Sequence, residues 1–218
     1  MHKKAFPILM YHSIAIRPKG TKMRSLHVNP KRFILQMKLL KFFGYRGICM
    51  SELKPYLMGE KSGKVVGITF DDGYQNNLSD ALPILKKLGF TATLYLVSEK
   101  LGGLNDWDTS KGIPKNRLMD KKEIKEWISN GMEIGSHTKN NINLLDCNKE
   151  IASNEISQSK ADLEKTFKIK VAHFCYPYGN FDNSILSLVK KAGYETATST
   201  IRGRSRQNDS IFALPRVK

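Results

Sequence analysis

Long apolar runs are missing from this sequence. Its most hydrophobic stretches, residues 6–10 and 91–97, fall far short of the roughly 20 residues that cross a bilayer as a helix. Cysteine is scarce as well. Cys49, Cys147 and Cys175 lie far apart without a CxxC pair. That excludes a disulfide scaffold and a thiolate zinc site, and suits a reducing compartment. Acidic residues are few: 20 Asp and Glu stand against 36 Lys and Arg, a formal net charge of +16. The surplus favours an anionic partner, whether nucleic acid, a phosphorylated or acidic sugar, or an anionic membrane surface. The cations are nevertheless spread along the chain, as on ordinary solvated faces, and none cluster near the acidic motif described below. A phosphoesterase or nucleic-acid enzyme would need such a cluster, so nucleic acid is not expected as a partner. Internal repeats, low-complexity segments and linker-like composition are also lacking.

What is present is enough for one sizeable core: 218 residues, 40% hydrophobic and 26% charged. Residues 1–16 carry two lysines and a brief apolar run broken by Tyr11, His12 and Ser13, with no small-residue cleavage site. They read as a first strand rather than a leader, which points to a cytoplasmic place, or one at the inner membrane face, in a bacterium. Strand-like runs at 6–10, 65–70, 91–97, 132–136, 171–176, 194–198 and 211–214 alternate with helix signals. Asn29 and Pro30 open a helix that runs to Gly44 on Phe33, Met37 and Leu40. Further helices are expected over 79–88 (stopped by Gly89), from the Asp120/Glu123 capping box to Asn130, over 149–167, and over 183–192. Alternation of this kind predicts a parallel sheet covered by helices. Residues 102–117 form one long irregular stretch, and 200–209, with Arg202, Arg204 and Arg206, read as a mobile loop.

The reactive residues share a position. His12 follows the first strand, Asp71 and Asp72 (in TFDDGY, 69–74) the 65–70 strand, His137 the 132–136 strand, and Tyr178 the 171–176 strand. In a parallel barrel such positions converge on one mouth. Adjacent carboxylates repel, so the Asp71–Asp72 pair calls for a cation or a proton, as when one Asp holds a metal beside a second acting as base. A polar turn capping the next helix is the plainer reading of that pair. His137 beside it gains weight as a ligand; His12 alone is as often structural as catalytic. YPYG at 176–179, with Pro177 and Tyr178, is a turn that can aim a backbone N–H at an oxyanion. Trp107, in NDWD, is either a sugar-stacking platform or a loop anchor. His173 reads as structural, and His2 and His27 carry no signal.

Six segments in order, LMYHSI (9–14), ITFDDGY (68–74), ALPILKKLGFTATLYLV (81–97), EIGSHT (133–138), FCYPYG (174–179) and LPRV (214–217), resemble the polysaccharide deacetylases of carbohydrate esterase family 4, the NodB homology domain. The resemblance covers nearly the whole chain, so residues 1–218 are expected to form one deacetylase domain. It implies a distorted (β/α)7 barrel that hydrolyses an acetyl group, N-linked or sometimes O-linked, on a sugar of a cell-surface polysaccharide or its precursor. By position, Asp71 corresponds to the general base, Asp72 and His137 to ligands of a divalent metal, usually zinc, and the Tyr178 N–H to an oxyanion donor. Tyr74 and Pro177, from the same motifs, and Trp107 are the expected substrate contacts. The family's late histidine is absent, which makes His12 the candidate general acid. Its second histidine ligand is replaced by Asn141, with Asn140 or water as substitutes, and its arginine before Pro-Tyr by Cys175. A sugar-binding protein without turnover is the alternative those departures raise. The charge adds the expectation of a phosphate- or lipid-linked sugar and of peripheral contact with an anionic membrane.

Overall fold

The VVGITF run forms a strand, Val65–Phe70, whose six residues are all buried, as expected in a parallel barrel, where one face of each strand meets helices and the other the packed interior. The computed structural model describes residues 4–17, 19–21, 23–207 and 209–218; His2 lies outside them. In chain order the strands are β1 Ile8–Tyr11, β2 Arg46–Ile48, β3 Val65–Phe70, β4 Thr93–Leu96, β5 Glu133–Ser136, β6 His173–Cys175, β7 Thr196–Arg202 and β8 Leu214–Arg216. They pair in the order β8-β7-β6-β5-β4-β3-β1, all in parallel, with β2 beside the first half of β3. Two backbone bonds close the ring, Met10 N–H to Val217 O at 2.9 Å and Val217 N–H to Ile8 O at 2.7 Å. The result is the seven-stranded, distorted (β/α) barrel.

Six helices cover it: α1 Pro30–Phe42, α2 Met50–Leu57, α3 Leu82–Leu88, α4 Lys121–Ser129, α5 Lys149–Phe167 and α6 Asn183–Lys191. Their ends follow local chemistry. Asn29 caps α1 by accepting from Lys31 N–H, both halves of the Asp120/Glu123 capping box form on α4, and Asp182 accepts from Ile185 N–H at α6. Tyr11, Phe33, Phe70 and Trp127 form one aromatic cluster, with ring centroids 5.1 Å apart for Tyr11–Phe33 and 5.9 Å for Phe70–Trp127. Each such buried side chain contributes about 1.5–3 kcal/mol. The cluster fixes the ends of β1 and β3, which carry the reactive residues.

The structure departs from the sequence reading in five places, one being the last strand, which is Leu214–Arg216 where 211–214 was expected. The 6–10 strand is split at Pro7, which has no N–H to give: Ala5–Phe6 pairs antiparallel with Ser205–Arg206, and only Ile8–Tyr11 enters the barrel. The expected 79–88 helix starts as a π turn, Asn77–Ala81, with Leu82 N–H on Asn77 O; Pro83, lacking an N–H, lies in the first turn of α3. β2 and α2 were not anticipated, one being three residues long and the other containing Pro55. Of the 200–209 stretch, the segment 200–206 is not a loose loop, since β7 runs to Arg202 and Ser205–Arg206 is paired. Among the described residues no helix is long and apolar enough to cross a membrane.

Candidate active site

The ladder that joins β3 to β1 continues one residue past the strand, with Asp71 N–H on Tyr11 O at 2.9 Å, so Asp71 is placed as rigidly as a strand residue. The next residue steps into the left-handed region, with Asp72 at φ 73°. In a continuing strand the two side chains would face opposite ways; the step lets both carboxylates reach one pocket. Thr138, Asn141 and Tyr178 are also left-handed, at φ 64°, 57° and 58°. Backbone strain of this sort gathers where surrounding structure fixes a site.

His12, Asp71, Asp72, Asp108, His137 and Asn141 line a pocket of about 300 Å³ at the mouth, with Tyr178, Thr200 and Lys218 at its wall. Asp71 is buried and gripped by Arg216, whose Nη1 and Nη2 donate to Oδ1 and Oδ2, each at 2.7 Å. Arg216 is itself fixed by Nε on Ser199 O at 2.8 Å and Nη1 on Thr69 Oγ1 at 3.0 Å, and its Nη2 lies 3.2 Å from Cys175 Sγ. Burial alone would raise the Asp71 carboxyl, but the Arg216 charge and hydrogen bonds win and hold it well below the usual carboxylate range. His12 Nε2 stands 3.7 Å from Asp71 Oδ2. Burial pulls the His12 ring down to about 4, against the opposing pull of Asp71.

Asp72 has the opposite environment. Burial, with Asp71 and Asp108 nearby, pushes its carboxyl up to about 7 in spite of His137. His137 gives its Nδ1–H to Cys175 O at 2.8 Å, which leaves the Nε2 lone pair facing Asp72 Oδ1 at 3.5 Å. Asn141 is buried, and among the described residues its Oδ1 has no hydrogen-bond partner. An unsatisfied amide oxygen, an imidazole lone pair and a carboxylate short of counter-charge fit a divalent cation. No three His, Cys, Asp or Glu side chains among the described residues cluster as a ligand set; the third donor here is the amide of Asn141. Asn140 is turned away and does not substitute for it. Its Nδ2 is bound to Glu155 Oε1 at 2.7 Å, and Glu155 also accepts from the Lys139 and Asn140 N–H groups.

Three expected substrate contacts take other positions. Tyr74 is buried, its hydroxyl accepting from Asn105 Nδ2 at 2.9 Å and standing near enough to Asp72 to favour its ionised form, so it supports the carboxylate and does not line the pocket. Pro177 is buried at the start of the turn that presents Tyr178. Trp107 lies outside the pocket, in an adjoining open groove that shares Asn141 and Tyr178 with it. Tyr178 is held by Thr200 Oγ1–H on its carbonyl at 3.1 Å and by its hydroxyl on Asp108 Oδ1 at 3.4 Å. The turn requires Gly179: a Cβ there would come within 2.0 Å of Thr200 Oγ1. Sequence reasoning missed Asp108, beside the Trp107 it singled out, and Arg216, inside the LPRV segment. Arg216 reaches Asp71 from beside Cys175, the residue that stands where the resembled family has its arginine.

Comparisons with known proteins agree with this fold. The family model described as polysaccharide deacetylase matches residues 58–197. YxkH of Bacillus subtilis (strain 168), which carries the name of a polysaccharide deacetylase, is 33% identical over 214 residues, covering 97% of this chain and 70% of that protein. A poly-beta-1,6-N-acetyl-D-glucosamine N-deacetylase of Staphylococcus aureus (strain MSSA476) is 28% identical over 208 residues, or 89% of this chain and 68% of that protein. The Streptococcus pyogenes deacetylase PplD, solved in complex with acetate, superposes with a TM-score of 0.84 at 26% identity, over 99% of this chain and 92% of that one. The chain belongs to the polysaccharide deacetylase family.

Proposed function

We propose that this protein is a metal-dependent hydrolase that removes the acetyl group from an N-acetylated sugar of a cell-surface polysaccharide or its precursor. The observation that carries this reading is the division of labour between adjacent carboxylates: Asp71 is held ionised by Arg216, while Asp72 faces an imidazole lone pair and an orphaned amide oxygen. Asp72, His137 and Asn141 would hold a divalent cation; the imidazole and carboxylate suit zinc, while the Asn141 amide oxygen is a poorer zinc donor than the histidine it replaces, so zinc would be held weakly. Such a cation supplies Lewis acidity toward the acetyl carbonyl and acidifies water at the site.

The chain's own residues account for the proton path. Asp71 takes a proton from the attacking water as the C–O bond forms. His12, neutral at rest and 3.7 Å away, receives that proton and hands it to the amine as the C–N bond breaks. The later transfers, from Asp71 to His12 and from His12 to the amine, run toward the group of higher proton affinity. The Tyr178 N–H, set at the pocket wall by its left-handed turn, is the donor we assign to the developing oxyanion. The acetate held by the S. pyogenes relative is the product this scheme releases.

Acetate release from N-acetylated and O-acetylated oligosaccharides, β-1,6-linked N-acetylglucosamine first, tests the reading. Release should stop on chelation and return with zinc. A protein loaded with metal that frees no acetate from any member of the panel refutes it. Asn141, where relatives of this motif carry histidine, favours a second reading, a sugar-binding protein without turnover. Saturable glycan binding with no acetate would establish that one.

A further inference from the structure

A second hollow borders the catalytic pocket on the His12 side and has no part in the scheme above. Directly after His12, Ser13–Ile14 pairs in parallel with His27–Val28. Beyond that pair, Ala15, Arg17, His27, Asn29, Arg32 and Gln36 line a space of about 650 Å³. His27 is close enough to His12 and Arg17 for their charges to act on its ring.

Among the polar groups of the hollow, donors prevail. Gln36 Oε1 is occupied by the Tyr11 hydroxyl at 3.0 Å, and Asn29 Oδ1 by Lys31 N–H at 2.9 Å, so the amide nitrogens are the ends left for a ligand. Arg17 and Arg32 can only donate. No acidic side chain lines the space, and none lies in the first turn of α1, whose positive dipole end opens there. Among the described residues no carboxylate pairs with either arginine. Both ring nitrogens of His27 are buried, and among the described residues they have no hydrogen-bond partner. Buried polar atoms without partners call for an explanation, and the polar side chains that share this lining with Ala15 and Val28 are chiefly donors.

We propose that this hollow is a substrate subsite for an oxyanion, phosphate or carboxylate, carried by the glycan next to the acetylated sugar. Arg17, Arg32, Gln36 and His27 are its donors. The glycan half of this inference rests on the deacetylase reading; the anion site itself does not. A space of this size suits a charged sugar residue rather than a bare ion, and the +16 charge of the chain draws such polymers in.

Two measurements test it. The first compares acetate release from matched oligosaccharides that are neutral, phosphate-bearing or uronate-bearing, for the native chain and the Arg17→Gln/Arg32→Gln double variant. We expect one of the two anionic series to be preferred, which identifies the anion. In the variant its KM should rise roughly tenfold, the effect of losing charge-assisted hydrogen bonds, with kcat and the neutral series unchanged. The second titrates inorganic phosphate while following histidine ring signals by NMR, with His27 assigned by the His27→Asn variant. The His27 signals should shift saturably in the native chain and stay fixed in the double variant. Unmoved His27 signals overturn the site. Shifting signals with equal rates on neutral and anionic glycans overturn its link to the substrate. If no glycan releases acetate, the deacetylase reading fails, and the phosphate titration still decides whether the anion site exists.

Discussion

Arg216 closes a two-pronged ion pair on Asp71, one nitrogen to each oxygen at 2.7 Å, from 145 residues further along the chain. Both groups are buried. Lysine preserves the charge but not the planar fork. Arg216→Lys is therefore expected to fold, hold metal as the native chain does, and lose about tenfold or more in kcat through misalignment of the carboxylate. Arg216→Ala strands a buried charge and should cost about 3–5 kcal/mol of stability. Melting curves beside steady-state kinetics check both; native turnover in Arg216→Lys would remove Arg216 from the positioning role.

The two carboxylates should separate by mutation. Asp71→Asn is expected to retain zinc and lose about 10²–10⁴-fold in turnover, the usual share of general base catalysis. Asp72→Asn should lose zinc. Metal analysis of both purified variants decides, and equal metal loss would mean that the assignments are wrong.

Asn141→His probes the weakest donor. The position is left-handed at φ 57°, a region that histidine tolerates better than most residues. The substitution is thus expected to keep the loop, which Glu155 pins from behind, and to raise zinc affinity and deacetylation. Calorimetric zinc titration of both proteins measures this. Tight stoichiometric binding by the native chain, unimproved by histidine, would show that the amide already serves.

Far from the site, Glu195 accepts from Lys170 and from Lys54, the latter at 2.7 Å. Those bonds pull its carboxyl from an ordinary 4.5 to about 2. A folded-state value below the unfolded one stabilises above the unfolded value, and the gain disappears as pH falls through the folded one. The pair is partly exposed, so the contribution is about 1 kcal/mol. Glu195→Gln should melt lower than the native chain at neutral pH and converge with it between pH 4.5 and 2. A constant gap down to the acid end would contradict the assignment.

The sequence by itself determined most of the elements of the barrel, short of β2 and α2. Asn29, the Asp120/Glu123 box and Gly89 encode their helix ends within a few residues, because caps are local hydrogen bonds. The bounds of α5 came out as read. Position at a strand end also sufficed to choose His12, Asp71, Asp72 and His137 as residues of one mouth, since a parallel barrel gathers such positions whatever its details. Direction of side chains was another matter. That Tyr74 supports Asp72 from behind, that Asn140 turns to Glu155 while Asn141 faces the pocket, and that Trp107 stands outside while its neighbour Asp108 lines the wall are outcomes of packing between distant segments. The clearest case is Arg216. In sequence it is one basic residue among many, in a segment weakened as a strand by Pro215; only closure of β8 against β1 brings it under Asp71. Local propensity reaches a few residues, and the pairing that completes this site spans nearly the whole chain.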